Sequence, residues 1–444
     1  MVNWFSMKNQ TPSLSKLFKS RQPSAVRLTQ IEFNKRTDGV EAVNCSIGNV
    51  SLPTHPQIQD RMKNLMGDKS PFKGGVVKYS ATVGMDETRQ AILNVIASSN
   101  LKTDGLYAQV TDGGSHAMEL AILGVCGPAG SQERPLLMIN PAYSNYRSFA
   151  SRVGRKVVAV TRTLSDQGEF TLPNIDEIEE VIEKENPGAM VVIPFDNPTG
   201  QLYSPENMIK LAKLAIKHNL WLVSDEAYRE LSYTGENTNT SVWALTEAEV
   251  PGITGRRISI ESASKVWNGC GFRIGWLVTD NEEFHQQSVA ENTANLCPPV
   301  IASWLIGGLA EVSHDDLQNW YEKQRAYYAP MLIDLTTKLK HILPGVIVSN
   351  PDASLYSVVD VRQLVDDGFD AQDFSMYCAS EGKVDINGQQ LTLLVSPMAG
   401  FYELPDGVSN PGQTQMRISY VESPEQMALV PELFAQLFKQ YQAR

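Results

Sequence analysis

A lysine beside small hydroxyl residues, followed at a short distance by an arginine, is the most informative pattern in the chain. Lys265 ends the run Ser262-Ala263-Ser264-Lys265, and Arg273 follows eight residues later. A lysine amine can form a Schiff base with an aldehyde, while hydroxyl and guanidinium groups can bind a phosphate. Pyridoxal phosphate (PLP) is the cofactor that needs both. Taken alone, the pattern is equally compatible with a turn after a strand and a surface ion pair at Arg273.

Two further polar segments each follow an apolar run that is typical of a buried strand. Residues 189–195 lead into Asn197-Pro198-Thr199-Gly200, and residues 220–224 lead into Asp225 and Tyr228. Ligands bind at the carboxyl ends of strands in open α/β sheets. There, Asp225 would keep a pyridine nitrogen protonated, and Asn197 with Tyr228 would hydrogen-bond the 3-oxygen of the ring. The alternatives are an ordinary turn at Asn-Pro-x-Gly and a helix N-cap at Asp225.

In this order, the segments resemble those of the class I/II aminotransferases, which are fold-type I PLP enzymes of the aspartate aminotransferase superfamily. The resemblance extends from about Val43 to the C-terminus. It implies that Lys265 binds PLP covalently and moves the substrate proton, that Asp225 pairs with the ring nitrogen, and that Asn197 and Tyr228 contact the 3-oxygen. By the same resemblance, the phosphate is bound by Ser262, Ser264 and Arg273.

A glycine-rich junction at residues 111–118 leads from a short strand into an apolar helix that ends near Cys126. Exposed backbone N–H groups and the positive end of a helix favour an anion at such a junction. We therefore expect Gly114 and Ser115 to contribute to the phosphate site. His116 is expected beside the site, without a catalytic role.

Two tyrosines match aromatic positions of the family. Tyr143, in Pro141-Ala142-Tyr143, follows the strand at residues 136–139, and its counterpart in the family stacks on the PLP ring; a core tyrosine is the alternative. Tyr79 matches a tyrosine that reaches the phosphate of the neighbouring subunit. The resemblance therefore implies a homodimer with shared active sites.

The C-terminal strand around Arg417 resembles the strand that carries the substrate-binding arginine of the family. A planar guanidinium can make two parallel hydrogen bonds to an α-carboxylate, and the alternative is an arginine on the surface of a strand. Gly48 matches a glycine whose backbone lies near that carboxylate, although residues 49–52 depart from the Pro-Asp-Phe that often follows in the family. Gly48, Asn197 and Arg417 are the predicted substrate-binding residues.

Bulk properties limit the classes of protein that the chain can represent. The 444 residues exceed what one core usually supports, and 42% hydrophobic with 20% charged residues is typical of a globular protein. A formal charge of −12 argues against nucleic acid as a main partner. No apolar run is long enough to span a membrane, and no secretory signal is recognisable. Scattered cysteines and histidines predict no metal site and favour a reducing, cytoplasmic setting.

Strand and helix patterns alternate from about Asp60 to Val312, which predicts an α/β fold with a mainly parallel sheet between helices. We expect this region to be the large PLP-binding domain. Residues 313–444 change to a charged helix at 316–339, short strands and a terminal amphipathic helix, which predicts a smaller α+β domain. Residues 1–59 would form an N-terminal arm, a first helix and part of that small domain.

Three functions are compatible with these features. The first is a PLP-dependent aminotransferase that moves an amino group from an L-amino acid to a 2-oxo acid through a Lys265 Schiff base. The second is a PLP-dependent lyase or other eliminating enzyme, because fold does not fix reaction type. The third is a PLP-binding regulator, which the absence of a basic DNA-binding region disfavours. The sequence does not single out a second arginine that would recognise the substrate side chain.

Overall fold

The computed structural model describes residues 13–127, 134–235 and 239–444 of the chain. Residues 1–12 of the predicted N-terminal arm lie outside the described residues. The helices in chain order are α1 (Lys16–Ser20), α2 (Ala25–Phe33), α3 (Pro56–Lys63), α4 (Asp86–Ser98), α5 (Gly114–Cys126), α6 (Asn145–Arg152), α7 (Ile175–Glu185), α8 (Pro205–Lys217), α9 (Glu282–Glu291), α10 (Val300–Gly307), α11 (His314–Ile342), α12 (Ala371–Ser380), α13 (Pro424–Met427) and α14 (Val430–Gln442). The strands are β1 (Glu41–Asn44), β2 (Tyr107–Thr111), β3 (Leu136–Asn140), β4 (Val157–Thr161), β5 (Thr163–Leu164), β6 (Phe170–Thr171), β7 (Ala189–Val192), β8 (Trp221–Asp225), β9 (Arg257–Ser262), β10 (Gly275–Thr279), β11 (Ile347–Val348), β12 (Tyr356–Asp360), β13 (Val384–Ile386), β14 (Gln389–Leu394), β15 (Ser396–Pro397) and β16 (Gln415–Ser419).

The largest sheet of the described residues has seven strands in the order β2-β10-β9-β8-β7-β3-β4. Neighbouring strands are parallel, except that β10 runs antiparallel to both β2 and β9. The order differs from the order along the chain, and parallel neighbours need crossover connections: α6 joins β3 to β4, and α8 joins β7 to β8. The predicted α/β fold with a mainly parallel sheet is confirmed.

Helices cover both faces of this sheet. Along β3, Leu136 and Met138 pack with residues of α5 and α6, whereas Leu137 and Ile139 pack with residues of α7 and α8. This alternation follows from the two-residue period of a strand, and burial on both faces explains why the strand sequences are continuously apolar. Because the faces are covered, only an edge of the sheet is open to a ligand.

The edge that matters for function is the one where β2, β3, β7, β8 and β9 end. Because β10 is antiparallel, it begins at this edge, and its first residue, Gly275, lies opposite both Ser262 of β9 and Thr111 of β2. The segment that precedes β10 therefore joins the segments that follow β2 and β9. In this way the fold gathers residues that are far apart in the sequence.

Smaller sheets complete the fold. One has the order β11-β12-β16-β15, and another has the order β1-β14-β13, in which β1 near the N-terminus pairs in parallel with β14. The predicted charged helix corresponds to α11, and the predicted terminal helix corresponds to α14. The division of the chain at residues 59/60 and 312/313 stays a prediction. None of the described helices has both the length and the apolar character needed to span a membrane.

A buried ion pair links two of the segments at the functional edge. Arg162 pairs with Asp196 at 2.6 Å, and both side chains are almost inaccessible to solvent. Arg162 also donates a hydrogen bond to the carbonyl oxygen of Pro141 at 2.7 Å. A single guanidinium thus holds the segment after β3, which carries Tyr143, against the segment after β7, which carries Asn197.

Candidate active site

Most of the predicted site residues line one cavity at the functional edge. Its volume is about 540 Å³, which is in the range of small-molecule sites. The cavity brings together Gly48, Gly114, Ser115, Tyr143, Asn197, Asp225, Tyr228, Ser262, Ser264, Lys265, Arg273 and Arg417. Tyr79 does not line it; its side chain lies on the surface and is 79% exposed. His116 lies beside the cavity, where its Nδ1 accepts a hydrogen bond from the backbone of Asp112.

Lys265 follows the end of β9 and extends its amine into the cavity. The Nζ atom donates a hydrogen bond to the carbonyl oxygen of Gly48. Gly48 follows β1 in the chain and lines the same cavity. A side chain at Gly48 would begin 3.2 Å from this Nζ and 2.5 Å from the hydroxyl of Tyr356. The glycine therefore leaves room for the amine, and larger residues at this position would displace it.

Arg273, two serines and a helix N-terminus form the end of the cavity suited to an anion. Arg273 has a left-handed backbone with φ of 54°, and its Nη1 donates to the carbonyl oxygen of Cys270 at 2.8 Å and contacts the hydroxyl of Ser264 at 3.5 Å. Gly113, with φ of 81°, would direct a side chain to within 2.5 Å of the guanidinium. The backbone of α5 begins here. Its free N–H groups, the hydroxyls and the guanidinium together match the needs of a phosphate.

Asp225 lies at the end of β8, partly buried, and its side chain lines the cavity. Its carboxylate accepts hydrogen bonds from the hydroxyl of Tyr146 and, at 3.1 Å, from the backbone of Ala227. Burial raises the pKa of Asp225 from 3.8 to about 6, because loss of water disfavours the charged carboxylate more than these hydrogen bonds favour it. A carboxylate whose negative charge is only partly stabilised by its hydrogen bonds is a good partner for a cationic ring nitrogen.

Asn197 and Tyr228 belong to one chain of hydrogen bonds. Their side chains are 3.3 Å apart, and the Tyr228 hydroxyl shares a further hydrogen bond of 2.8 Å with the hydroxyl of Tyr356. Burial holds the pKa of Tyr228 well above its usual value, so the phenol remains protonated. Neutral donors of this kind suit contact with an oxygen anion of a cofactor ring.

Arg417, on β16 of the four-stranded sheet, completes this chain of hydrogen bonds. Its guanidinium donates to Asn197 Oδ1 at 2.9 Å and to the carbonyl oxygen of Ser46 at 2.8 Å, and it stacks on the Tyr356 ring at 4.4 Å. The residue is only 4% exposed, yet its Nε has no hydrogen-bond partner among the described residues. A buried donor without a partner is costly, and a bound carboxylate would satisfy it.

The PLP expected from the sequence fits these residues. The donor set offers an amine at Lys265, a cluster of anion-binding groups around Arg273 and a buried carboxylate at Asp225. The small spaces in front of Gly48 and Gly113 would be filled by any Cβ. Tyr143 lines the same cavity, packed edge-to-face against Tyr146 with 5.5 Å between ring centroids. Its stacking on a cofactor ring stays a prediction.

The lining residues that the sequence analysis did not assign to the site include Arg27, Tyr146, Tyr356 and Phe401. Tyr146 was visible as a second tyrosine one helical turn after Tyr143, and that spacing was a usable signal. Tyr356 lies within the buried strand β12, and the composition of that strand is typical of a protein core. The contact of Phe401 with Arg417, at 5.1 Å, depends on the tertiary fold.

Among the described residues, possible metal ligands occur together at one place, and none of the three lines the cavity. Ligand atoms of Glu179, Glu183 and His218 lie within 4.8 Å of one another. Glu179 already pairs with Lys217 and His218, so its charge is largely compensated. The expectation that the protein has no metal site stays a prediction.

The raised pKa of Asp225 predicts that ionisation of this carboxyl lowers the folding stability of the cofactor-free protein in a pH-dependent way. Between pH 3.8 and about 6, the unfolded chain has released the proton that the folded chain still holds, so stability falls as pH rises through this window. Asp225→Asn removes the ionisation and keeps the shape. We expect it to stabilise the cofactor-free protein by roughly 2–4 kcal/mol above pH 6, with little effect near pH 4.

Urea unfolding between pH 4 and pH 8 measures this difference. Asp334→Asn, at the exposed pair between Asp334 and Lys338, is the control for removing a surface carboxylate. A stability difference between Asp225→Asn and the wild type that stays constant across the pH range would contradict the destabilising effect assigned to ionised Asp225.

Comparison with known proteins identifies the family. Residues 41–401 match the family "Aminotransferase class I and II". An aspartate aminotransferase of Sulfolobus acidocaldarius is 24% identical over 362 residues, which cover 81% of this chain and 84% of that protein. An aspartate/prephenate aminotransferase of Thermus thermophilus is 26% identical over 293 residues, covering 66% of this chain and 70% of that protein.

Solved structures share the fold. A single mutant of Thermus thermophilus aspartate aminotransferase superposes with a TM-score of 0.78 at 22% identity. The superposition covers 96% of this chain and 100% of that chain. N-succinyldiaminopimelate aminotransferase from Mycobacterium tuberculosis gives a TM-score of 0.77 at 20% identity, with 96% and 100% coverage. The predicted family and fold class are confirmed: the chain belongs to the class I and II aminotransferases and is a PLP-dependent transaminase.

Proposed function

We propose that the cavity at the functional edge is the site where this transaminase moves an amino group from an L-amino acid to a 2-oxo acid. The observation that carries the proposal is the presence of Lys265, Asp225, Arg273 and Arg417 around one cavity. Asp225 and Arg417 come from parts of the chain that are distant from the segment carrying Lys265 and Arg273. An amine, a buried acid and two anion-binding guanidinium groups are the set that the reaction requires.

Each of these groups has a distinct task at the cofactor. PLP, when bound, supplies an aldehyde that reacts with amines and a ring that withdraws electron density from the reacting carbon. Arg273, Ser262, Ser264 and the start of α5 at Gly114 and Ser115 hold the phosphate. Asp225 keeps the ring nitrogen protonated, and Asn197 with Tyr228 donates hydrogen bonds to the 3-oxygen. Tyr143 packs on the ring.

Lys265 and Arg417 act on the substrate. Arg417 binds the α-carboxylate with its fork of donors, aided by Asn197 and by the backbone near Gly48, and this contact sets which bond of the amino acid faces Lys265. The amine of Lys265 would accept the proton from the α-carbon of the substrate and donate it again during transfer of the amino group. The hydrogen bond from Nζ to Gly48 supports a position of the amine next to the carboxylate site.

The two alternative functions have less support. The comparisons give no support for a PLP-dependent lyase, since the relatives reported above are named aminotransferases. A PLP-binding regulator would not need an unsatisfied buried donor at the substrate arginine, whereas Arg417 Nε is such a donor among the described residues.

Replacing the covalent PLP ligand tests the proposal. Lys265→Ala should abolish transamination of every amino acid, because the α-proton then has no amine to accept it, while PLP still binds through its phosphate contacts. The measurement is a spectral screen of wild type and variant against the twenty amino acids. Lys213→Ala, which removes an exposed lysine on α8, is the control. Residual turnover in Lys265→Ala equal to that of Lys213→Ala would refute the assignment.

We further propose that the enzyme is a homodimer whose sites are shared. Exposed apolar side chains occur in three main groups: Met62, Met66, Val76, Val77 and Tyr79 in the first, Leu296 and Ile301 in the second, and Leu14, Leu17, Phe18, Leu28 and Ile31 in the third. The first two groups are neighbours, because α3, which carries Met62, packs against α10, which carries Ile301. A large exposed apolar patch is typical of an interface, and soluble oligomers are most often two-fold symmetric. In such a dimer, Tyr79 would contribute to the phosphate site of the partner.

Mixed dimers test the shared site. Tyr79→Phe should weaken retention of PLP, and Lys265→Ala should be inactive. In a mixed dimer, one site contains both changes and the other contains neither. Dimers purified through a different tag on each chain, after removal of free PLP, should regain about half of the wild-type activity. Activity no higher than the mean of the two parent variants, or a fully active monomer in light scattering, contradicts the shared-site proposal.

We also propose that the protein is located in the cytoplasm. Cys45, Cys270, Cys297 and Cys378 form no disulfide within the described residues. Reduced cysteines are usual in a reducing compartment.

A further inference from the structure

A cluster of buried charged side chains lies behind the turn that follows β8. Its members, Glu226, Arg229 and Glu261, are each at most 3% exposed, and none of them lines the cavity. Burial of charged groups costs free energy, and apolar residues of similar size often stabilise a fold equally well or better. None of the three residues has a task in the proposed function. The cluster therefore calls for a role other than stability.

The turn presents two pairs of residues to different sides. Asp225 and Tyr228 line the cavity, whereas Glu226 and Arg229 do not. The backbone of Arg229 donates a hydrogen bond to the carbonyl oxygen of Glu226 at 3.0 Å, and residues three apart lie on one side of such a tight turn. The same turn therefore carries two cofactor-binding residues on one side and two residues of the buried cluster on the other.

Arg229 connects this turn to β9. Its Nη2 and Nε donate to the two carboxylate oxygens of Glu261, at 2.5 Å and 3.3 Å, and its Nη1 donates to the hydroxyl of Ser241 at 3.2 Å. Glu261 is the next-to-last residue of β9, and Lys265 lies four residues beyond it. One guanidinium thus joins the turn that carries Asp225 to the strand that leads to Lys265.

Main-chain hydrogen bonds fix only the start of the turn. The pairing of β8 with β9 extends to Asp225, and the backbone of Glu226 donates to the carbonyl oxygen of Ile260 at 2.9 Å. Tyr228 and Arg229 lie beyond this ladder, where the side chain of Arg229 provides a contact with β9. The ion pair therefore fixes the end of the turn, which carries the Tyr228 hydroxyl.

Glu226 adds a second carboxylate to the cluster. Its Oε1 accepts hydrogen bonds from neighbouring hydroxyl and backbone groups at 2.8 to 3.0 Å, and its Oε2 lies 3.4 Å from Arg229 Nη2. Two carboxylates thus face one guanidinium, and ionisation of both leaves a net negative charge close to Asp225. An experiment on the cluster must therefore separate position from charge.

We infer that Arg229, through its ion pair with Glu261, is a positioning residue for the cofactor-binding groups on the turn. The inference rests on the proposed function, in which Asp225 keeps the ring nitrogen protonated and Tyr228 donates to the 3-oxygen. Lys265 belongs to the segment after β9, so the turn has to be held at a fixed distance from that strand if all these residues are to meet one ring. Hydrogen bonds weaken steeply when their geometry is lost, so a loosened turn would weaken the contact at the ring nitrogen.

Nitrogen NMR of the enzyme loaded with PLP labelled at the ring nitrogen measures the protonation of that atom without turnover. Glu261→Gln removes the ion pair and keeps the size of the side chain. Its ring-nitrogen signal should move toward that of unprotonated PLP, because Asp225 is no longer held in place. In the same variant, kcat should fall about tenfold or more while KM changes less than about threefold, since Arg417 is untouched.

Two further variants separate position from charge. Glu226→Gln removes the same charge as Glu261→Gln, and from the residue next to Asp225, but leaves the pair between Arg229 and Glu261 in place. Burial is the main cause of the raised pKa of Asp225, and the charge of Glu226 raises this pKa further. Arg229→Lys keeps the charge but cannot bind both oxygens of the carboxylate. A positioning role predicts a clear loss in Arg229→Lys and a smaller effect in Glu226→Gln than in Glu261→Gln.

The opposite pattern marks an effect of charge. A change in Glu226→Gln as large as that in Glu261→Gln, or wild-type behaviour of Arg229→Lys, overturns the inference. If Glu261→Gln does not fold, Arg229→Lys supplies the same comparison with the wild type, because it also breaks the two-point contact.

Asp280→Asn is the control for loss of a buried ion pair on β9. Asp280 pairs with Arg257 at 2.6 Å, and the two side chains are 5% and 12% exposed. Arg257 begins β9, so this pair lies at the end of the strand away from the cavity. Urea unfolding should show a loss of stability in both Asp280→Asn and Glu261→Gln, whereas only Glu261→Gln should change the ring-nitrogen signal. A signal change of the same size in Asp280→Asn overturns the inference, because general loosening of the strand would then explain it.

Failure of the inference can be told apart from failure of the proposed function. If the wild-type enzyme transaminates amino acids and neither Glu261→Gln nor Arg229→Lys changes the ring-nitrogen signal, only the inference is wrong. If the wild-type enzyme transaminates none of the twenty amino acids, the proposed function itself is wrong.

Discussion

The register of β10 between β9 and β2 is the constraint on which the site depends. Because β10 is antiparallel, Gly275 lies opposite both Ser262 and Thr111, so the segments before β10 and after its neighbours meet at one edge. The approach is so close that a Cβ at Gly275 would lie 2.4 Å from the backbone nitrogen of Gly114. A shift of this strand by one residue would turn its side chains over and separate Arg273 from the anion-binding groups.

A second constraint connects the small sheet to this edge. Arg417 comes from β16, yet its guanidinium bonds to Asn197, which follows β7 of the large sheet. Tyr356 of β12 stacks on the same guanidinium and shares a hydrogen bond with Tyr228. The contacts proposed for the cofactor ring and for the substrate carboxylate therefore belong to one network, so a change in one group alters the position of the others.

Sequence patterns predicted the parts of the site that lie at strand ends. Asn197 and Asp225 each follow an apolar run, Lys265 follows the strand at residues 257–262, and parallel strands bring such positions to one edge. Tyr356 and Tyr146 were missed because their functional hydroxyl contacts depend on side chains more than 75 positions away in the chain. Arg27 was missed for a related reason: its segment has the composition of a polar arm, and only the tertiary fold brings it to the lining of the cavity.

The central claim is that Lys265 is the lysine that binds PLP in this cavity. Borohydride reduction of the PLP-loaded enzyme fixes the cofactor to the amine that holds it, and peptide mass spectrometry then identifies the modified residue. The account predicts one modified peptide, containing Lys265, and loss of activity in proportion to its modification. Stoichiometric modification of any other lysine, with Lys265 unmodified, would contradict it.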